Sequence, residues 1–144
     1  MKMPAEIPPA LLAPCGMNCL LCYAHLRKKK PCPGYRGEDP AKPGHCRACK
    51  IKDCAAGRGL AFCHACEEFP CGIIKRLDKS YRQRYAASLI EMTVRHREAG
   101  AGPYLREEAE KWTCTRCGGV VGLHDRVCSE CGGQSLLDTR QGLC

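Results

Sequence analysis

Fifteen cysteines stand among the 144 residues of this chain, and their spacing is that of metal ligands. Cys114 and Cys117 form one C-x2-C pair, and Cys128 and Cys131 form another, with ten residues between the pairs. Two thiolates three positions apart on a tight turn both reach one ion at about 2.3 Å, so two such pairs make a tetrahedral four-sulfur site. Each pair is followed by two glycines, Gly118-Gly119 and Gly132-Gly133, and glycine accepts the positive φ of such a turn. The intervening VVGLHDRV is rich in β-branched residues, which predicts a short hairpin. The spacing therefore predicts a zinc ribbon over residues 112–135. Protein side chains fill all four positions, so the site is closed and structural rather than catalytic. Iron in a rubredoxin-like site is the alternative. His124 is expected to be a hairpin residue rather than a ligand.

Ten more cysteines lie between Cys15 and Cys71. Cys15, Cys19 and Cys22 follow C-x3-C-x2-C, and Cys32 comes next. CRACKIKDC (Cys46, Cys49, Cys54) and CHACEEFPC (Cys63, Cys66, Cys71) repeat the spacing C-x2-C-x4-C. The first triplet matches the cluster motif of radical S-adenosylmethionine enzymes, but those carry it on a large β/α barrel, for which this chain has neither the length nor the strand–helix alternation. The ten thiols suffice for two four-ligand sites. One partition places Cys15, Cys19, Cys22 and Cys32 on one ion and Cys46, Cys49, Cys63 and Cys66 on another, leaving Cys54 and Cys71 spare. A cross-braced partition gives each trio its fourth ligand from residues 15–32. His25, His45 and His64 adjoin these clusters, although the thiols are already enough. Cysteine-only sites suit zinc and iron–sulfur clusters alike. The expectation is about three zinc ions per chain, with a [4Fe–4S] cluster in the N-terminal module as the alternative.

The composition explains why metal is needed. Apolar residues make up 44% of the chain, cysteines included, and there are only two Phe and one Trp. Domains with so small a core need staples. The N-terminus MKMPAEIPPALLAPCG has the character of neither a signal peptide nor a membrane span. The expected location is therefore the cytoplasm, where cysteine spacings mean metal more often than disulfides. The formal charge of +8 counts every cysteine as neutral, so thiolates on metal offset much of it.

The elements that must position these thiols read as a small metal-stapled α+β fold in three parts. Residues 10–72 form a cysteine-rich module of loops and short helices. Pro31, Pro33, Gly34, Gly37, Pro40, Pro43 and Gly44 crowd one stretch of it. A short helix is expected over Leu20 to Lys30, ending before Pro31. Residues 73–111 are a basic helical segment. Ile73, Ile74 and Leu77 mark a short helix, and Tyr81, Tyr85, Leu89, Met92 and His96 fall on one face of a long one. Gly100 and Gly102 end it, and Pro103 suits the first turn of the next helix, with Leu105, Ala109 and Trp112 on one side. Residues 112–135 are the ribbon.

APCGMNCLLCYA, then CPG, CRACKIKDCAAGRG and FCHACEEFPC followed by IIKRLDKSYRQRY, resembles a family of small cysteine-rich prokaryotic proteins of unknown function, described as zinc-binding. The resemblance covers about residues 12–90 and extends to about 133 in members with a C-terminal ribbon. It implies metal binding at Cys15, Cys19, Cys22, Cys46, Cys49, Cys54, Cys63, Cys66 and Cys71, and it implies no activity. Tyr35 departs from the pattern, since related sequences often have a cysteine there.

Lys75, Arg76, Lys79, Arg82, Arg84, Arg95 and Arg97 face only Asp78 and Glu91 within residues 75–97, a net of +5. Arg27, Lys28, Lys29 and Lys30 add a second basic run. Zinc ribbons beside basic helices meet nucleic acid, with phosphate contacts supplying affinity and tyrosines supplying stacking surfaces. The expected partner is nucleic acid or the ribosome, with a protein partner as the alternative. The sequence holds no paired carboxylates, no Ser-His-Asp arrangement, no phosphate-binding glycine loop and no H-E-x-x-H. A non-catalytic role is therefore expected, with a thiol-dependent or iron–sulfur redox role as the alternative.

Overall fold

A computed structural model describes residues 1–36, 42–44 and 49–134. His45, Cys46 and Cys144 lie outside these residues. The protein is mostly helical: α1 spans Tyr23–Leu26, α2 Lys50–Gly57, α3 Gly72–Tyr85, α4 Leu89–Ala99 and α5 Ala101–Trp112. Single 3-10 turns stand at Pro9–Leu11, Cys19–Leu21 and Cys63–Ala65. No helix among the described residues is long and apolar enough to cross a membrane.

The expected β component does not form as regular strands among the described residues. The C-terminal segment instead makes isolated antiparallel bridges, Thr113 with Val120, Val121 with Cys128 and Val127 with Gln134. The chain from Gly122 to Val127 closes on itself, with the Gly122 N–H donating to the Val127 carbonyl at 3.0 Å and the Arg126 N–H to the Gly122 carbonyl at 3.0 Å. That leaves too few residues on either side for a ladder. The extreme N-terminus supplies further pairing: Lys2 bridges Gly119, and the Val120 N–H donates to the Met1 carbonyl at 2.8 Å.

The first expected helix is shorter than Leu20 to Lys30. After Leu26 the chain turns back, because the Cys32 N–H donates to the Ala24 carbonyl at 2.8 Å and His25 Nδ1 lies 2.6 Å from the Cys32 carbonyl. The helical segment also breaks elsewhere than its periodicity suggests. Residues 72–85 are one helix, and the break falls at Ala86, in the left-handed region at φ 54°. Ser88 then caps α4, its Oγ accepting from the Glu91 N–H at 3.1 Å. The buried Asp78 carboxylate fixes this corner: Oδ1 accepts from Ser88 Oγ at 2.7 Å and from the Ile90 N–H at 2.9 Å, and Oδ2 lies 2.8 Å from Arg82 Nε. Gly100 ends α4 and Pro103 lies in the first turn of α5. Arg95 and Glu107 pair across α4 and α5.

One core cluster joins the N-terminal loops, the helices and the C-terminal segment. Leu12, Leu20, Leu21, Ile74, Leu89, Val120, Val121 and Leu123 are its most buried apolar side chains. Its burial supplies the main driving force for folding. The Leu123 N–H donates to the Leu21 carbonyl at 3.0 Å and the Val121 N–H to the Trp112 carbonyl at 2.9 Å, so the C-terminal cysteines are anchored to both α5 and the N-terminal loops.

Candidate metal centre

Two tight turns of the same construction present the C-terminal cysteines. In the first, the Gly118 N–H donates to the Cys114 carbonyl at 2.9 Å and the Cys114 N–H to the Gly119 carbonyl at 2.8 Å. In the second, the Gly132 N–H donates to the Cys128 carbonyl at 3.0 Å and the Cys128 N–H to the Gly133 carbonyl at 3.0 Å. Gly118 and Gly132 take φ of 76° and 71°, the region glycine enters at little cost. The second glycine of each pair is there for space. A Cβ on Gly119 would lie 2.7 Å from Cys128 Sγ, and one on Gly133 would lie 3.3 Å from Cys131 Sγ.

The four sulfurs converge. Cys114, Cys117, Cys128 and Cys131 hold their Sγ atoms within 4.8 Å of one another. Cys114 and Cys131 sulfurs are 3.8 Å apart, and Cys117 and Cys128 sulfurs 3.5 Å. Sulfurs at the corners of a tetrahedron around zinc, each about 2.3 Å from it, stand about 3.8 Å apart. The group could hold a metal ion, and it fits the donor set of a closed tetrahedral site.

The local field favours thiolate at Cys128 and Cys114. Burial opposes ionisation of Cys128, yet the N–H groups of Cys131 and Glu130 and the thiols of Cys117 and Cys114 outweigh it and hold the thiol down at about 6. The N–H groups of Arg116 and Cys117 lower Cys114 as well. The N–H of Gly119 also favours thiolate at Cys117, but burial and the neighbouring thiols prevail and push it up to about 11. Thus the four share protons, and a metal ion bound there would replace those that remain. Positive groups stand close by: the Met1 ammonium pairs with Glu130 at 2.8 Å, and Lys2 Nζ donates to the Cys117 carbonyl. His124 takes no part in the sulfur group. Its ring packs against Tyr85, Tyr23 and Tyr81, with centroids at 4.6, 5.2 and 5.8 Å.

Residues 11–76 match the model of a family described as a protein of unknown function (DUF3795). The match spans Cys15 to Cys71 and stops short of Cys114, so the C-terminal site lies outside it. It also ends before the expected limit near residue 90. No curated protein and no solved structure matches the chain.

Within the matched region the described cysteines gather in neighbouring sets. Cys15 is buried and pushed up to about 12 by that burial, with Cys49, Cys19 and Cys63 near enough to act on it electrostatically. Tyr35 stands among Cys49, Cys15 and Cys63, and burial raises its phenol. Cys22 neighbours Cys32, and burial raises its thiol. Cys63 is also near Cys71, Cys54 and Cys66. Thus Cys15 is within electrostatic range of Cys19, Cys49 and Cys63, and Cys22 of Cys32.

Of the histidines, His25 bonds the Cys32 carbonyl. His64 stacks on Phe62 at 5.3 Å and meets His96 edge-on at 5.0 Å. Arg58 was not singled out from the sequence, yet its Nη1 donates to Cys66 Sγ at 3.5 Å and its Nη2 to Glu68 at 2.5 Å. The short separations Arg58–Cys66 and Arg58–Glu68 were the one signal for it.

Proposed function

We propose that the chain is a non-catalytic binding module, with zinc at the C-terminal four-sulfur site, that takes nucleic acid on a basic face carrying tyrosines. The sulfur separations of 3.5 and 3.8 Å support a single tetrahedral ion, and a closed site of two C-x2-C pairs is the common setting of structural zinc. Thiolate ligation at all four positions leaves no open coordination site for substrate, which supports a structural role.

One observation carries the partner. Tyr23, Tyr81 and Tyr85 gather around His124 of the C-terminal segment, and cations border the group. Arg84 lies over the Tyr85 ring at 5.1 Å, and Arg27 shares a surface hollow with Tyr23 and His124. Tyr23 is 45% exposed, so one of the rings is open to solvent. Along α3 the side chains of Lys75, Arg76 and Lys79 are exposed, on the part of the helix turned away from Tyr81 and Tyr85, so they extend the cationic surface rather than border the rings. Rings bordered by cations are what unpaired bases and phosphates need: bases stack on the rings and phosphates meet the cations. The other basic residues of the segment serve the fold. Arg82 pairs with Asp78, Arg95 with Glu107, and Arg97 lies over Phe69.

The test is fluorescence anisotropy of labelled single-stranded RNA and DNA with the full-length, zinc-loaded chain. Affinity should fall steeply between about 50 and 200 mM salt. Replacing Lys75, Arg76 and Lys79 together by Ala should flatten the salt slope by about two units, each phosphate contact on a single strand contributing about 0.7. Absence of binding, or binding indifferent to salt, would refute the reading.

A further inference from the structure

Away from the C-terminal site, a second set of thiols surrounds a cavity. Cys54 from α2, and Cys63, Cys66 and Cys71 from the connection between α2 and α3, line a cavity of ≈ 30 Å³ together with Leu60 and Phe69. They fall in the order C-x8-C-x2-C-x4-C. Each is held by its own local structure. Cys54 sits in the middle of α2. Cys63 and Cys66 bracket a 3-10 turn closed by the Cys66 N–H on the Cys63 carbonyl at 3.0 Å. Cys71 is the residue from which α3 starts. The Cys63 N–H donates to the Pro14 carbonyl at 2.9 Å, which fixes the turn on the N-terminal loop.

We propose that Cys54, Cys63, Cys66 and Cys71 form a second metal site, separate from the C-terminal one, that takes a single thiophilic divalent ion, zinc. The donor set is four thiols, which select zinc or iron–sulfur chemistry over oxygen-seeking ions. A cavity that admits one water has about 10–15 Å³ of such volume, so one of ≈ 30 Å³ matches a single ion in size. Among the described residues the C-terminal group is the one whose sulfurs all lie within 4.8 Å of one another. No three of the four sulfurs here lie that close, so a bound ion requires their side chains to rotate inward. Four thiolates around a divalent ion leave a net negative charge, and Arg58 stands at the rim to offset it, its Nη1 already on Cys66 Sγ at 3.5 Å. The bound ion ties α2 to the start of α3 and so sets the base of the helix that carries Lys75, Arg76 and Lys79.

This grouping differs from one in which Cys49 joins Cys63 and Cys66 while Cys54 and Cys71 are spare. Alkylation mapping by mass spectrometry on the full-length, metal-loaded wild-type protein tells them apart without any variant. Cys54, Cys63, Cys66 and Cys71 should be protected together and become reactive together when a chelator removes one ion. Alkylation of Cys54 and Cys71 in the loaded protein, with Cys63 and Cys66 protected, would overturn the grouping. In parallel, metal content is measured for wild type, for Cys63→Ser with Cys66→Ser, and for Cys114→Ser with Cys117→Ser. Each double variant should lose about one zinc per chain, so the failure of either site is read independently of the other. Iron with a visible absorption band lost in the Cys63/Cys66 variant would overturn the single-ion assignment. Arg58→Ala keeps all the thiols and changes only an exposed side chain; it should lose zinc from this site to a chelator several-fold faster, and Arg58→Lys should restore part of the retention. An unchanged rate in Arg58→Ala would overturn the role given to Arg58.

Discussion

Gly16 and Thr93 approach so closely that no other residue fits at position 16: a Cβ there would stand 1.9 Å from Thr93 Oγ1 and 2.7 Å from the Leu89 carbonyl oxygen. The backbone is also in the glycine region, at φ 97°. This contact seats the Cys15–Cys19 loop on α4, with Thr93 Oγ1 donating to the Cys15 carbonyl at 3.3 Å. Gly16→Ala should therefore destabilise the protein by about 3 kcal/mol or more, through overlap and strain together. Chemical unfolding measures it. Thr93→Ala in the same chain should recover only part of the loss, because the Leu89 carbonyl remains in the way.

The corner between α3 and α4 depends on Asp78. Its carboxylate is 4% exposed and accepts from Ser88 Oγ and the Ile90 N–H. Asp78→Ala leaves both donors and Arg82 without their acceptor, and should cost about 2–3 kcal/mol. Ser88→Ala removes the cap of α4 and should cost about 1 kcal/mol. Equal losses in the two variants would contradict the view that Asp78 serves more than the cap.

Glu108 gives the fold a pH dependence. It is buried on α5, and burial raises its carboxyl above the usual 4.5 despite Lys111, Asn18 and Tyr104 nearby. A carboxyl raised on folding adds stability fully only below its unfolded pKa, and that contribution is lost as pH rises through the folded value. Glu108→Gln keeps an acceptor for the Asn18 amide, 3.5 Å away in the wild type, and carries no charge. The variant should melt higher than wild type near neutral pH, and the difference should shrink as the pH falls towards 4.5. A difference that stays constant across this range would contradict the assignment.

The second glycine of each cysteine turn is predicted to control metal affinity. Gly119→Ala places a methyl 2.7 Å from Cys128 Sγ and 2.8 Å from Glu130 Cβ. Competition with a chromophoric chelator should show zinc held at least about tenfold more weakly, equivalent to about 1.4 kcal/mol. Gly57 has nothing within 4 Å of its Cβ position, so Gly57→Ala is the control and should leave zinc affinity unchanged.

What the sequence made legible was local. The C-x2-C-G-G turns, the end of α4 at Gly100 and the start of α5 just before Pro103 each follow from a few adjacent residues. The break at Ala86 was written as Ser88-x-x-Glu91, a capping pattern, but an apolar stripe running through it from Tyr81 to His96 pointed to a continuous helix. The pairing of Lys2 with Gly119 joins residues far apart in the chain and leaves no local trace. The same holds for the N-terminal thiols. Repeated C-x2-C-x4-C spacing shows that ligands are present, but which sulfurs meet is decided by long-range contacts such as the Cys63 N–H on Pro14.

Whether the four C-terminal thiols hold zinc as a closed site is read from zinc-edge X-ray absorption on the protein. Wild type and Cys63→Ser/Cys66→Ser should both show a shell of four sulfurs at about 2.3 Å with no lighter ligand, and Cys114→Ser/Cys117→Ser should lose about one zinc per chain. A shell containing oxygen or nitrogen in the Cys63/Cys66 variant, or zinc content unchanged by the loss of Cys114 and Cys117, would contradict a closed zinc site.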